Sequence, residues 1–381
     1  MTEAAPEVAP PSLRDVALLF LRLGATGFGG PAAHIAMMQR ELVEQRRWID
    51  RQRFLDLVGA VNLIPGPNST ELAIAIGYEV HGPRGLAIAG VAFIAPAFLI
   101  VLALAILYRR YGTLPDVTPM LLGVKAVVLA IILQAVWRLL FSFGRRWFPL
   151  LAAAVALAGA LAGIHELALL LACGLAGALI ARARSGPAGG GPRRTLLFGA
   201  GALGSLLPAS PTTGSLFAYF LYAGSVLYGS GYVLVALLRR DLVESLGWLS
   251  ERELFDAIAI GQVTPGPVFT TATFVGYLLD GTPGAIVSTV GIFLPSFLFV
   301  LLLHRFVLRM RSNATAVGFL EGVSAAAVGA IAAAMVVLGR DTLTSPALWA
   351  IALVAAIVLA STRINPTWLI AAGALAGWLL R

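Results

Sequence analysis

Lysine is nearly missing from this chain: Lys125 is the only one, and every other basic side chain is arginine. Cysteine is as scarce. Cys173 stands alone, so neither an internal disulfide nor a cysteine metal cluster can form. The histidines, His34, His81, His165 and His304, lie far apart without metal-ligand spacing. Charge of either sign is thin, at 12% of 381 residues, where a globular chain carries about a quarter. That excludes a soluble domain with an ordinary solvated surface. No Gly-x-x-x-x-Gly-Lys-Ser/Thr stretch occurs, which excludes a P-loop nucleotide site. The first residues are acidic at Glu3 and Glu7 rather than basic, so no cleaved signal peptide is expected.

What is present is apolar. Hydrophobic residues make up 59% of the chain, mean hydropathy is +0.89, and many runs are long enough to span a bilayer. The pattern predicts an all-α polytopic membrane protein. The net charge of +8 fits short-loop arginines that set membrane orientation better than it fits nucleic-acid binding.

The chain reads as a disordered tail (1–12), a membrane repeat (13–181), a basic linker with a short apolar segment (182–212), and a second membrane repeat (213–381). The repeats are legible residue by residue. Phe20-Leu21, Gly24, Gly29, Arg40-Glu41-Leu42-Val43-Glu44, Trp48 and Pro65-Gly66-Pro67 recur at a constant offset as Phe220-Leu221, Gly224, Gly229, Arg240-Asp241-Leu242-Val243-Glu244, Trp248 and Pro265-Gly266-Pro267. Beyond that tripeptide the offset shortens by one residue, and Gly123-Val124-Lys125-Ala126 returns as Gly322-Val323-Ser324-Ala325. About 12–13 membrane segments are expected. Whether 195–208 crosses is open by its length alone. The loop arginines divide most unevenly between the two faces if the repeats are inverted. Inversion therefore fits the positive-inside rule, and it puts the N-terminus in the cytoplasm.

Pro-Gly-Pro interrupts an apolar stretch in each repeat. Residues 54–80 read as a helix broken at membrane depth, which bilayers tolerate only where backbone is buried or lines a cavity. Matching breaks in two halves mark a transporter's binding site. Each helix restarts with a proline, Pro67 or Pro267, at its first position. Its positive dipole end and the N–H groups of Asn68, Ser69 and Thr70 and of Val268, Phe269 and Thr270, with the hydroxyls of Ser69, Thr70, Thr270, Thr271 and Thr273, suit an oxyanion. Pro65, Gly66, Pro265 and Gly266 shape the break, and Gly29 and Gly30 mark a second unwound stretch. Asn62 and Gln262 stand three residues before each tripeptide, as ligand donors or as caps for freed carbonyls. Charges inside spans are costly and mark function. Arg22 and Lys125 would attract an anion. Glu71 and Glu321 would carry a coupled proton or form internal salt bridges. His34 reads as a packed, hydrogen-bonded histidine.

At these residues the chain resembles the chromate ion transporter (CHR) family. The resemblance rests on Leu23-Gly24, Phe28-Gly29-Gly30-Pro31, Ala33-His34, Glu41 with Trp48, both Pro-Gly-Pro breaks, Gly123-Val124-Lys125-Ala126, Gly229-Ser230-Gly231-Tyr232 and Gly261-Gln262-Val263-Thr264. It implies a two-domain bacterial inner-membrane transporter with inverted halves that exports chromate and confers chromate resistance. The chain departs from the family's pattern at Glu71 and Asn62 (more often Gln), Arg22 (Lys) and Ser324 (Asn). The expected activity is secondary transport, without a cofactor, driven by membrane potential or a proton gradient, as in an antiporter. The expected partners are chromate, with sulfate as its mimic, the lipid bilayer, and a second copy of the chain in a homodimer. The alternatives are an importer of sulfate or another oxyanion on the same scaffold, and an intramembrane enzyme, which would need a clustered His, Asp or Cys set at membrane depth.

Overall fold

The computed structural model describes residues 11–28, 30–61, 64–112, 117–144, 146–184, 208, 210–227, 233–303, 314–362, 364 and 366–379. The N-terminal tail before Pro11, most of the linker, Gly29, Asn62 and the Gly229–Tyr232 motif lie outside them. The described residues form helices and their connections. The first repeat holds α1 (Leu13–Thr26), α2 (Gly30–Gln39), α3 (Arg51–Val61), α4 (Asn68–Tyr111), α5 (Val117–Ser142), α6 (Trp147–Leu161) and α7 (Glu166–Arg184). The second holds their counterparts α8 (Thr213–Val226), α9 (Val233–Leu238), α10 (Glu251–Val263), α11 (Thr271–Leu303), α12 (Ala314–Thr342), α13 (Pro346–Ser361) and α14 (Pro366–Leu379). Even the starts agree. Ser12 caps α1 in a reciprocal box with Asp15, and Thr212 caps α8 in the same box with Ser215.

Two helices that look continuous are folded double. In α4, His81 and Gly82 leave the helical region, and Gly82 has φ +58°; in α11, Asp280 and Gly281 do the same, again with φ +58° at the glycine. A side chain is strained in that conformation, so the turn selects glycine. The arms lie so close that a Cβ on Gly85 would strike the Gly77 carbonyl, and one on Gly284 the Gly276 carbonyl. Helix α4 is therefore a short arm, 68–80, and a long arm, 83–111.

The short arm also doubles back on α3. Arg53, at the start of α3, pairs with Glu79, at the end of the short arm, at 2.8 Å and 2.9 Å. Pro65-Gly66-Pro67 is thus the tip of a re-entrant hairpin rather than a kink in one crossing. This corrects the reading of 54–80 as a single broken span: the Pro-Gly-Pro tip returns the chain to the face it came from, and the Gly82 turn then reverses it again into the long arm. Helices α1 and α2 are linked by a short turn, and Arg22, near the end of α1, pairs with Glu41, just past α2, at 3.4 Å. The charged stretch 39–53 resolves into a π-type turn, Arg40–Gln45, and a loop into α3.

The halves are inverted and interlocked. At the far end of the long arm of α4, Arg109 Nη1 lies 3.5 Å from the carbonyls of Tyr277 and Leu278, beside the turn of α11. At the near end His81 donates to the Pro11 carbonyl. The two equivalent turns therefore lie at opposite ends of one helical arm roughly 40 Å long, more than a bilayer's hydrocarbon thickness. Helix α5 packs on α13 and α14, while its counterpart α12 packs on α6 and α7, so each repeat's last hairpin is held by the other repeat's long helix. Glycine makes the fit. Gly123 faces the Gly373 backbone and Gly322 faces the Cys173 backbone, without room for a Cβ at either.

Among the described residues, four helical stretches are long and apolar enough to cross a membrane: Asn68–Tyr111 and Val268–Leu302, each including its fold-back turn, and Thr118–Ser142 and Ala314–Thr342. Leu99, Phe141, Leu179, Leu353 and Trp368 point outward, an apolar surface suited to lipid.

Candidate functional site at the two Pro-Gly-Pro tips

A short arm of 13 residues reaches roughly 20 Å into the bilayer at 1.5 Å per residue. The two Pro-Gly-Pro tips, reached from opposite ends, thus lie beside the middles of the long arms, at Ser296 and Ala97. Each rests on the other repeat's long arm. Gly66 (φ +136°) faces Ser296 of α11, and Gly266 (φ +95°) faces Ala97 of α4. Ala97 and Ser296 are matched positions in the duplication. A Cβ on Gly66 would run into Glu71 Oε1 and Ser296 Oγ, and one on Gly266 into the Ala97 methyl. The close approach, as much as the backbone angle, demands glycine there.

The two tips are joined through α1. Gly27, just past the end of α1, accepts the Gly266 N–H at 2.8 Å. Its carbonyl also accepts from His34 Nε2 at 2.8 Å, and His34 Nδ1 lies 3.1 Å from Ser69 Oγ in the first turn of α4.

Around this junction several buried polar atoms have no hydrogen-bond partner among the described residues: Thr70 Oγ1, Glu71 Oε2 and Gln262 Nε2. Such groups are costly unless a ligand or water completes them. The first repeat supplies most of this open polarity. Thr270 and Thr271, at the matching turn of the second repeat, donate back to the Pro267 and Val268 carbonyls at 2.8 Å each. Thr273 is bonded to Thr289 at 2.7 Å. The Glu71 carboxyl is fully buried and touches Ser296 Oγ at 3.4 Å.

The structure brings Pro65, Gly66, Pro67, Asn68, Ser69, Glu71, Gln262, Pro265, Gly266, Pro267, Thr270 and Thr271 to the two tips. Gly30 opens α2 with φ +75° and open space where a Cβ would stand. Of the expected charges, Glu71 is at the tips and the other three lie elsewhere. Arg22 is largely exposed and paired with Glu41, and Glu321 is paired with Arg146 at 2.5 Å. Lys125 is buried against Asp256 at 2.9 Å and over the Phe255 ring at 5.3 Å. Asp256 also accepts from Tyr108 Oη at 2.6 Å, and Arg252 approaches to 3.9 Å. Sequence reasoning missed Asp256, which sits among Glu251, Arg252 and Glu253 and looks like part of a solvated helix face. It also missed Ser296. The signal for Ser296 was its place one residue past Pro295, the counterpart of Pro96. With both expected cations engaged, the positive potential at the tips comes from two helix N-termini, each worth about half a charge.

Comparison with known proteins accords with this architecture. The family model for chromate transporters matches residues 14–178 and again 214–378, once on each repeat. A chromate transport protein of Cupriavidus metallidurans is 34% identical over 380 residues, covering 96% of this chain and 92% of its own. The corresponding figures are 34% over 357 residues, 91% and 89%, for a probable chromate transport protein of Synechococcus elongatus. A chromate transport protein of Pseudomonas aeruginosa is 34% identical over 404 residues, 100% of this chain and 95% of its own. No solved structure matches. With the family pattern found on both inverted repeats and relatives aligned along nearly their whole length, the chain belongs to the chromate transporter family.

Proposed function

We propose that the protein exports chromate across the bacterial inner membrane by alternating access, with the dianion held between the two Pro-Gly-Pro tips. The observation that carries this reading is the meeting of two restarted helices, from opposite faces, around buried polar atoms that lack partners: Thr70 Oγ1 and Gln262 Nε2. A tetrahedral oxyanion accepts hydrogen bonds in several directions, and helix N-termini with hydroxyl and amide donors supply them. Sulfate has the same charge and shape and is the natural competitor. The N-terminus lies on the cytoplasmic face.

Energetics favour export without nucleotide. A dianion leaving an inside-negative cell gains about 4.6 kcal/mol per 100 mV. Glu71 is the proposed carrier of a counter-moving proton. A charged carboxylate sealed from water beside a bound dianion is costly, whereas the protonated carboxyl is a neutral donor. Exchange of proton for anion at one place is the simplest antiport, and the resulting efflux confers chromate resistance.

The test is chromate accumulation in cells with and without this chain, in the presence and absence of excess sulfate and of a protonophore. Lower accumulation, relieved by sulfate and abolished by the protonophore, is the expected outcome. Raised accumulation would replace export by oxyanion uptake on the same scaffold.

A further inference from the structure

The bond pattern at the junction fixes the chemistry of His34. A carbonyl only accepts, so the Nε2 that lies 2.8 Å from Gly27 O carries the ring proton in the neutral imidazole. Nδ1 is then the acceptor, and Ser69 Oγ–H donates to it across 3.1 Å. The same Gly27 oxygen uses its second lone pair for the Gly266 N–H at 2.8 Å. A continuous path thus runs from the first turn behind one tip, through Ser69, His34 and Gly27, to the central glycine of the other tip. The ring is 2% exposed and stands edge-on to Phe93 at 5.4 Å. Gly27 lies flat against it, and a Cβ there would meet the ring at 2.7 Å.

This path exists once. In the second repeat the matching positions are Leu227 and Leu234, both buried and apolar. A residue that the fold alone required would be expected in both copies, because the surrounding helices are duplicated. The single copy points to the transport cycle.

We infer that His34 is a positioning residue that holds the two Pro-Gly-Pro tips in register, so that donors from both repeats face one oxyanion. The inference rests on the site proposed above. In the described state the ring also occupies the Ser69 hydroxyl proton. An anion that takes that proton weakens the tie, and binding is thereby linked to movement of one tip against the other.

The experiment uses the full-length protein in nanodiscs, with backbone hydrogen exchange followed on peptides covering each tip. His34→Leu installs what the second repeat has. His34→Gln keeps a donor for Gly27 and an acceptor for Ser69. Exchange at both tips is expected to rise at least tenfold in His34→Leu and to return to within threefold of wild type in His34→Gln. The KM for chromate is expected to rise at least fivefold in His34→Leu, with kcat changed less. Acceleration at the first tip alone, or at neither, overturns the inference. Should His34→Leu fail to reach the membrane, Ser69→Ala cuts the same path at its other end, and unchanged exchange at the second tip then overturns it. If the wild-type protein carries neither chromate nor sulfate, the functional reading falls, while the exchange measurement still decides the role of His34.

Discussion

Glu71 shows how much one residue adds to a duplicated scaffold. Where the first repeat has Thr70-Glu71, the second has Thr270-Thr271, whose hydroxyls are occupied by their own helix turn. The carboxyl therefore gives the otherwise similar tips different chemistry. It lies against Gly66 and Ser296, fully buried, and makes no ion pair among the described residues. If it carries the exchanged proton, Glu71→Gln keeps the shape and the contact with Ser296 but removes the exchange. In proteoliposomes, the variant is expected to let chromate run down its own gradient at a rate within threefold of wild type. It is also expected to lose, by at least tenfold, accumulation driven by a proton gradient. Retention of proton-driven accumulation would assign the coupling elsewhere.

At the scale of helices, the contact of Lys125 with Asp256 ties α5 of one repeat to α10 of the other, with Tyr108 of α4 as a third member. The equivalent places in the other half hold Ser324 and Asp56, and Asp56 meets Gln52 on an exposed helix face. A buried ion pair is weak evidence for net stability, but removing one partner leaves an uncompensated charge and costs about 3–5 kcal/mol. Lys125→Ala is therefore expected to lower the melting temperature and the amount of protein in the membrane. Lys125→Ala with Asp256→Asn is expected to recover most of both, measured by fluorescence size exclusion and thermal unfolding. A Lys125→Ala protein as stable as wild type that no longer binds chromate would instead place the lysine at the anion. The sequence showed Lys125 as an intramembrane charge but not its partner, because the pairing depends on the exchange of hairpins between repeats. For the same reason Gly123 and Gly322, visible as motif residues, gave no hint that they serve close packing against α14 and α7. The Pro-Gly-Pro breaks, by contrast, were legible, since proline's missing N–H is a local fact that no tertiary contact reverses. Their direction was not legible: a break in a span and the tip of a hairpin have the same local sequence, and only the Arg53–Glu79 pair and the Gly82 turn tell them apart.

Across the whole molecule, inversion places two chemically different tips at one depth, each resting on the opposite repeat. That is the arrangement alternating access needs, because a rocking of one half against the other opens the junction to one face while closing it to the other. The duplication was fully readable in the sequence. The inversion was not securely readable: the arginine count that favoured it set 40–53 across the membrane from the N-terminus, whereas the His81–Pro11 and Arg53–Glu79 contacts hold both at one end, and residue matches carry no record of which face a loop occupies. The structure supplies a direct handle on it in the two fold-back turns. Arg84 follows the turn of α4 and Thr282 the turn of α11, both exposed and at opposite ends of the long arm. In a Cys173→Ala background, Arg84→Cys and Thr282→Cys each present one thiol. With the N-terminus in the cytoplasm, a membrane-impermeant maleimide added to intact spheroplasts is expected to label Thr282→Cys within minutes. It is expected to label Arg84→Cys at least tenfold more slowly until the membrane is opened. Reversed labelling would flip the whole chain and leave the inverted fold standing. Equal labelling of both sites from one side would place the two turns on the same face, and with that the mid-membrane meeting of the tips, on which the anion site depends, would fail.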